Sequence, residues 1–348
     1  MVPSCNIIKP LHGQRGSVAI LFVLFLPVLL GFTALTIDLA RLNLTKIELQ
    51  NAADAAALAG VRSLSDPSIL ATDKPYNWSA ATATALDVAK RNFVNGALIR
   101  HALIETGYWN LQNPSLGLRQ LSTPGAGDVA AIRATIALSS GQNNGPLRLF
   151  FAPILGIADR NIQASAIAVL PAPGGGTGLF PLVISKTFID QYWNPTTRTA
   201  ILKNGAPQIV NICTIYKING IDVLSGQWTT FTSQENDVPY VRGLIANGNP
   251  TNLSIGMSTY IQPGAEATLY KPSELPVGKD VAVFLVNNVV TSTFQPIVAI
   301  AGFHITDSNQ GQKYIEGYFI DNVSFGTTDP GTGNGLPYGA YTPPILVQ

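Results

Sequence analysis

Charge is scarce in this chain. Lys, Arg, Asp and Glu make up 12% of its 348 residues, where soluble domains carry about 25%. The 21 basic and 20 acidic residues are scattered, with no block of like charge, so a nucleic-acid partner has no electrostatic footprint here. Cysteine is scarcer still. Cys5 and Cys213 alone cannot build a disulfide framework, and the fold must be held by its core. Three histidines, His12, His101 and His304, share no metal-ligand spacing. A Gly-x-Ser-x-Gly elbow, a Walker loop and a His-Glu-x-x-His pair are all missing. The sequence therefore gives catalysis, a cofactor or a metal no positive support, and a non-enzymatic protein is expected.

Near misses do not change this. The stretch DSNQGQKYIEG (307–317) opens like a calcium loop, but that loop needs Gly at its sixth position and Glu at its twelfth. Here Gly311 is fifth and Glu316 tenth, and a hairpin turn is the expectation. PAPGGGTG (171–178) lacks the Gly-Lys-Ser/Thr end of a phosphate loop. His304 stands opposite in phase to Phe303 and Ile305 on a strand, at a solvent or core edge. Cys213, in the apolar alternation NICTIY, is expected as a small buried hydrophobe.

What is abundant is apolar. Mean hydropathy is +0.24, too high for one membrane span to explain. The remainder is a weakly charged part rich in Ala, Thr, Ser, Asn and Gly, a composition associated with secreted and cell-surface proteins. From Ser17 to Ile37 the chain reads SVAILFVLFLPVLLGFTALTI, 21 residues without a charge. As a helix it is roughly 31 Å long, the thickness of a hydrocarbon core. The run is longer than a signal-peptide core and continues into charged helix instead of a small-residue exit, so it is read as a retained transmembrane helix. If it spans, Cys5 and Cys213 lie on opposite sides of the membrane. Lys9 and Arg15 precede it, and the short basic N-terminus favours a cytoplasmic 1–16 with all that follows Asp38 outside the cytoplasm. Pro27 lies within the span, where it loosens the helix.

Strong helix formers continue past Asp38, so one helix is predicted over 17–64. Six of the eight positions from Ala52 to Ala59 are alanine. At about 100° per residue, Thr45, Leu49, Ala52, Ala53, Ala56, Ala59 and Gly60 share a face, with Lys46, Gln50, Asn51, Asp54 and Arg62 largely opposite. Ala52, Ala56 and Gly60 form a small-xxx-small ridge that lets another backbone approach closely. That backbone belongs either to the chain's own sheet or to a partner helix. Asp38 and Arg41, spaced i, i+3 at the membrane exit, are placed to pair across one turn.

Gly16, Val18-Ala19, Pro27, the Asp38-x-x-Arg41 pair and LQNAADAAALAG (49–60), with its Gln50 and Asp54, resemble the N-terminal signature of TadG-like Flp pilus-assembly proteins. The similarity is specific over 13–64 and weaker to 170. It implies a single-pass bacterial inner-membrane component of the tight-adherence system, working beside other pilus-assembly membrane proteins. It also implies a long helix with a small pilin-like sheet. In pseudopilin relatives a peptidase cuts after the leader glycine and a glutamate stands at the fifth mature position. Here the cut would be Gly16-Ser17, and Leu21 holds the glutamate's place, which implies an unprocessed, anchored type. The von Willebrand A domain of some TadG-like proteins begins Asp-x-Ser-x-Ser, and DVLSG (222–226) does not fit it.

Beyond the anchor the sequence predicts an α+β fold. Pro67 and Pro75 mark a loop. A helix is expected over 79–95, with Ser79 as N-cap and Gly96 as terminator. Strands are expected at 105–112, 129–138 and 161–170. The apolar 147–157 between the last two reads as a short helix or buried loop. These make a pilin-like domain over 65–170, followed by a flexible Gly/Pro linker at 171–178. Nine strands, 181–185, 209–218, 227–232, 239–246, 252–261, 266–270, 280–288, 296–306 and 313–322, suggest an all-β sandwich over 179–326. Residues 327–348, rich in Gly and Pro, read as a flexible tail.

A structural or assembly component follows, in contact with the lipid bilayer. The alternative is a membrane-tethered adhesin, or a wall- or carbohydrate-binding protein. It would use Tyr192, Trp193, Trp228, Phe231, Tyr260, Tyr314 and Tyr318 as a surface patch, unless those rings serve the core.

Overall fold

The computed structural model describes residues 17–64, 76–120, 124–125, 127–194, 197–264, 266–321, 323–324, 329–330 and 338–348. The expected leader 1–16, the expected loop about Pro67 and Pro75 and much of the segment between 322 and 337 lie outside the described residues.

One helix, α1, runs without a break from Ser17 to Ser63, roughly 70 Å. Pro27 sits inside it, and Thr33 and Thr36 return their hydroxyls to the carbonyls of Leu29 and Phe32. The two halves of α1 live differently. Apart from a half-buried Ala34, every residue from 19 to 37 is exposed. From Asp38 onward one side is buried.

That side meets a second helix, α2 (Trp78–Lys90), and an antiparallel sheet of β1 (Leu103–Asn110), β2 (Asp128–Leu138) and β3 (Ile162–Leu170). The cap of α2 is Asn77, whose side chain accepts from the Ala80 amide, two residues before the expected Ser79. The helix also stops earlier than expected. Asn95 and Gly96 take φ of +50° and +75°, the left-handed pair that closes a two-residue hairpin between 93–94 and 97–98. In the sheet, period-two alternation separates the faces. Ala130, Ile132, Ala134, Ile136 and Leu138 join Ala164, Ala166, Ala168 and Leu170 under the helices. Val129, Ala131, Ile167 and Val169 join Trp109 on the other side.

The second region keeps the α+β class but builds its β part differently from two stacked sheets. Its strands are β4 (Leu182–Ser185), β5 (Val210–Ile212), β6 (Gly226–Phe231), β7 (Ser258–Ile261), β8 (Asp280–Val286), β9 (Thr293–Asn309) and β10 (Tyr314–Ile320). β4 pairs with β6, β6 with β7, β7 with β9, β9 with β8, and β8 with β4 in parallel. This closes a ring of five. The 17-residue β9 makes closure possible, because its first part pairs with β7 and its last with β10, which carries β5. Successive residues of the ring strands feed two cores. Leu182, Ile184, Val283 and Leu285 point into one, and Val183, Phe284 and Val286 into the other.

Four expected strands are otherwise, one of them 252–261, which divides into Leu253–Ser254 and Ser258–Ile261 around a turn. Residues 239–246 belong to a helix, α3 (Val238–Asn247), with Pro in its first turn and Gly248 as C-cap, the positions that favour those residues. Residues 267–270 form a 3-10 turn. The 209–218 run breaks at Cys213, whose φ is +72°.

Two further corrections concern segments expected to be flexible. In the 171–178 stretch, Pro173–Gly176 is a strand paired with 253–254 and 329–330. A Cβ on Gly175 would stand 2.6 Å from the Leu253 carbonyl oxygen, so glycine serves close approach there and not flexibility. The C-terminal end is built in as well. Tyr338 enters one core of the second region and Ala340 the other. Tyr341 enters the core under α1, and β11 (Ile345–Leu346) adds a fourth strand to the first sheet, antiparallel to β3. Ile167 donates to Gln348, and Val347 donates back to Ile167.

Candidate functional site at the membrane exit

Asp38 is the first charge after the apolar run and is 2% exposed. The expected pairing with Arg41 gives way to a larger arrangement. The amides of Phe150, Phe151 and Ala152 donate to its carboxylate at 2.7, 2.9 and 2.7 Å. Burial alone would raise its pKa. The three backbone donors, with the Arg41 charge, bring it below the ordinary carboxylate value. Arg41 turns to the Asn95 side chain at 3.1 Å and lies over the Phe150 ring, 4.2 Å from its centroid. Glu48 accepts from the Asn95 amide. The first turns of α1 beyond the apolar run are thus tied to two loops that follow far along the chain.

Further along, Lys46 donates to the Gln163 carbonyl, and Gln50 spans Asp54 and the Ser165 carbonyl. These polar residues stitch α1 to the edge of β3, so Gln50 and Asp54 act within the fold. Leu49, Ala52, Ala53, Ala56 and Gly60 are buried, and Ala59 is half-buried. Ala57 and Val61 are buried too, so the inward face is rotated from the one expected. What it meets is the chain itself, namely Ala81, Ala85 and Ala89 of α2 and the alanine-rich face of the sheet. A Cβ on Gly60 would lie 2.9 Å from the Ala85 Cβ and 3.1 Å from the Ala81 carbonyl oxygen. Pro27 stands on the exposed part of α1, and Gly16 lies outside the described residues.

Sequence reasoning missed the 150–152 loop, whose partner is 112 to 114 positions away. It also missed Arg198, which has a φ of +55° and is buried. Arg198 reaches from the second region to the Asp128 carbonyl at 2.9 Å and over the Tyr108 ring. Asp128 in turn accepts from Arg119, Asn110 and the Gly125 amide.

Of the seven aromatics weighed between surface patch and core, Trp193, Trp228 and Phe231 are core residues, and Tyr192, Tyr260, Tyr314 and Tyr318 are half-buried. Tyr318 stacks on His304, which meets Asp280 at 2.5 Å. The Cys213 thiol faces Tyr270, and burial pushes its pKa up to about 12, an inert state for a thiol. Among the described residues, no cluster of His, Cys, Asp and Glu suited to a metal occurs.

Residues 16–63 match the Tad family, described as putative Flp pilus-assembly TadE/G-like, and 59–168 match Tad_C, described as putative Tad-like Flp pilus-assembly. Together the two matches cover residues 16–168, less than half of the chain. No curated protein and no solved structure matches the chain. The two family matches support a role in pilus assembly, and the bare first half of α1 is long and apolar enough to cross a membrane.

Proposed function

We propose that the protein is a non-enzymatic structural component of a tight-adherence (Flp) pilus system, held in the bacterial inner membrane by α1. Its N-terminus would be cytoplasmic and both folded regions periplasmic. The observation that carries this is the division of α1 at Asp38. Residues 19–37 contact almost nothing of the chain, and the helix then enters a Tad-matched core without a break. An apolar stretch exposed over that length needs a nonpolar solvent, and a continuous helix passes any displacement of the anchor straight into the folded part. Other pilus-assembly membrane proteins are the expected partners.

The test is a count of surface fibres by electron microscopy in an in-frame deletion strain beside wild type. Loss of fibres, restored by the full chain, is expected. Normal fibre numbers with reduced attachment would replace assembly by adhesion.

A further inference from the structure

The apolar segment 147–157, expected as a short helix or a buried loop, keeps Leu147, Leu149 and Ala152 buried and makes a 3-10 turn at Ala152–Leu155, but exposes its other large side chains up to Leu155. Leu147–Arg148 and Asp159–Arg160 pair as the neck of a loop, and its tip is apolar. Phe150 is 64% exposed, Ile154 85% and Leu155 72%. Pro153 and Phe151 are exposed beside them. No other turn of the described chain displays so many large apolar side chains in so few residues. Its position is fixed by the three amides held on Asp38, the residue at which the uncharged run of α1 ends. Ala34, one turn before Asp38 on the same face, is the half-buried position within the otherwise exposed 19–37. The loop therefore lies against α1 at the end of the apolar stretch, and its exposed tip starts beside the residue at which that stretch ends. Arg148 and Arg160 stand exposed at the neck, and Arg41 covers the Phe150 ring. Aromatic and aliphatic side chains at the tip with cations at the base are the chemistry of the interfacial zone of a bilayer.

We propose that the 149–158 loop is a second membrane contact. Phe150, Phe151, Ile154 and Leu155 enter the interfacial zone of the leaflet from which α1 emerges, and Arg148 and Arg160 meet lipid phosphates. The Asp38 clasp sets the depth of insertion. With two points of attachment the folded part is held at a fixed height and tilt on the bilayer, which a lone helix cannot impose. The proposal rests on the reading of α1 as a membrane anchor.

The test uses the full chain in vesicles of phosphatidylcholine and phosphatidylglycerol. Cys5→Ser leaves only Cys213, which is half-buried, and any label taken up by that parent protein is subtracted as background. Single cysteines carrying an environment-sensitive fluorophore are then placed at Ile154, at Leu24 within the apolar run, and at Asp222 on the exposed 221–224 hairpin. Quenching is measured by lipid bearing a nitroxide near its headgroup and by iodide in the water. The label at 154 is expected to be quenched severalfold more by the lipid than the label at 222, and to be shielded from iodide. Quenching at 154 like that at 222 would overturn the loop contact while a lipid-quenched label at 24 left the anchor standing. Shielding of 154 from both quenchers would mean a protein cover, a second copy included, and would also overturn it. A label at 24 open to iodide would overturn the anchor and the loop contact together.

Discussion

The two regions of this chain have cores built from different materials. Under α1, 12 of the 25 buried residues are alanine. In the larger core of the second region alanine supplies 2 of 22, and Phe, Trp, Tyr, Leu, Ile and Val supply the rest. Alanine buries little area per residue, so the first core gains its stability from close backbone approach, extended along helix and sheet. The second gains it from large side chains interlocked by rings such as Phe303 on Phe319 and Trp228 on Tyr270. The lesson is one of opposite weaknesses. The alanine core cannot accept added volume, and the aromatic core cannot lose it.

Substitutions should break that contrast in order of size. Trp228→Ala empties a fully buried indole site and is expected to cost roughly 3–5 kcal/mol, read as the shift in chemical denaturation of the full chain. Gly60→Leu reverses the experiment. Its side chain must displace Ala85, the Ala81 carbonyl and Ile132, at about 1–3 kcal/mol. A Gly60→Leu protein as stable as wild type would mean that α1 and α2 do not approach this closely. Arg198→Ala removes the buried bond to the Asp128 carbonyl and the cation over Tyr108, at roughly 1–2 kcal/mol. Its loss should raise amide exchange where the regions meet more than within either core.

The smallest global effect is expected at Asp38. Asp38→Asn keeps one acceptor oxygen and loses the charge, so amides 150–152 should exchange faster while both cores hold. Because the folded pKa of Asp38 lies below the ordinary value of about 4, its contribution is complete above that value and is lost as pH falls through the folded one. Amides 150–152 should therefore lose protection on acidification below about pH 4 in wild type. In Asp38→Asn that step should be missing.

Much of the first region is legible in the sequence, because its information is local. The uncharged run, the alanine periodicity and the alternation of β2 and β3 need no distant partner to be recognised. The second region hides more. Residues 239–246 look strand-like by composition, yet Pro239 near the start and Gly248 at the end are helix punctuation, and that signal was outweighed. Glycines at 174–176 look like a hinge until a facing backbone at 253–254 is known to need the space. Asn95-Gly96 reads as the end of a helix, although the pair is also a hairpin signal. At the end of the apolar run Asp38 is legible as a motif residue, but its partners are not, since nothing in 147–157 announces that three amides will turn toward a carboxylate in α1. The C-terminal end was the least legible. Its composition is that of a loose tail, and its structure depends on partners such as Ile167, reached only when the chain is folded.

That end joins the two materials. Within eight residues Tyr338, Ala340, Tyr341 and Ile345 visit four separate clusters. At Gly339, with a φ of +81°, a Cβ would stand 1.8 Å from the Ile320 carbonyl oxygen, so the crossing admits no side chain. The Tad-matched region thus takes a buried tyrosine and an edge strand from beyond residue 337, and the chain is expected to unfold as one cooperative unit.

The most direct test is to end the chain after residue 337 and follow amide exchange at Ile167 together with thermal unfolding, in the same bilayer as the full chain. The account predicts that Ile167 loses its protection and that the single unfolding transition falls in temperature or divides in two. Unchanged protection and an unchanged transition would show that the two regions stand without the C-terminal strap, and would contradict it.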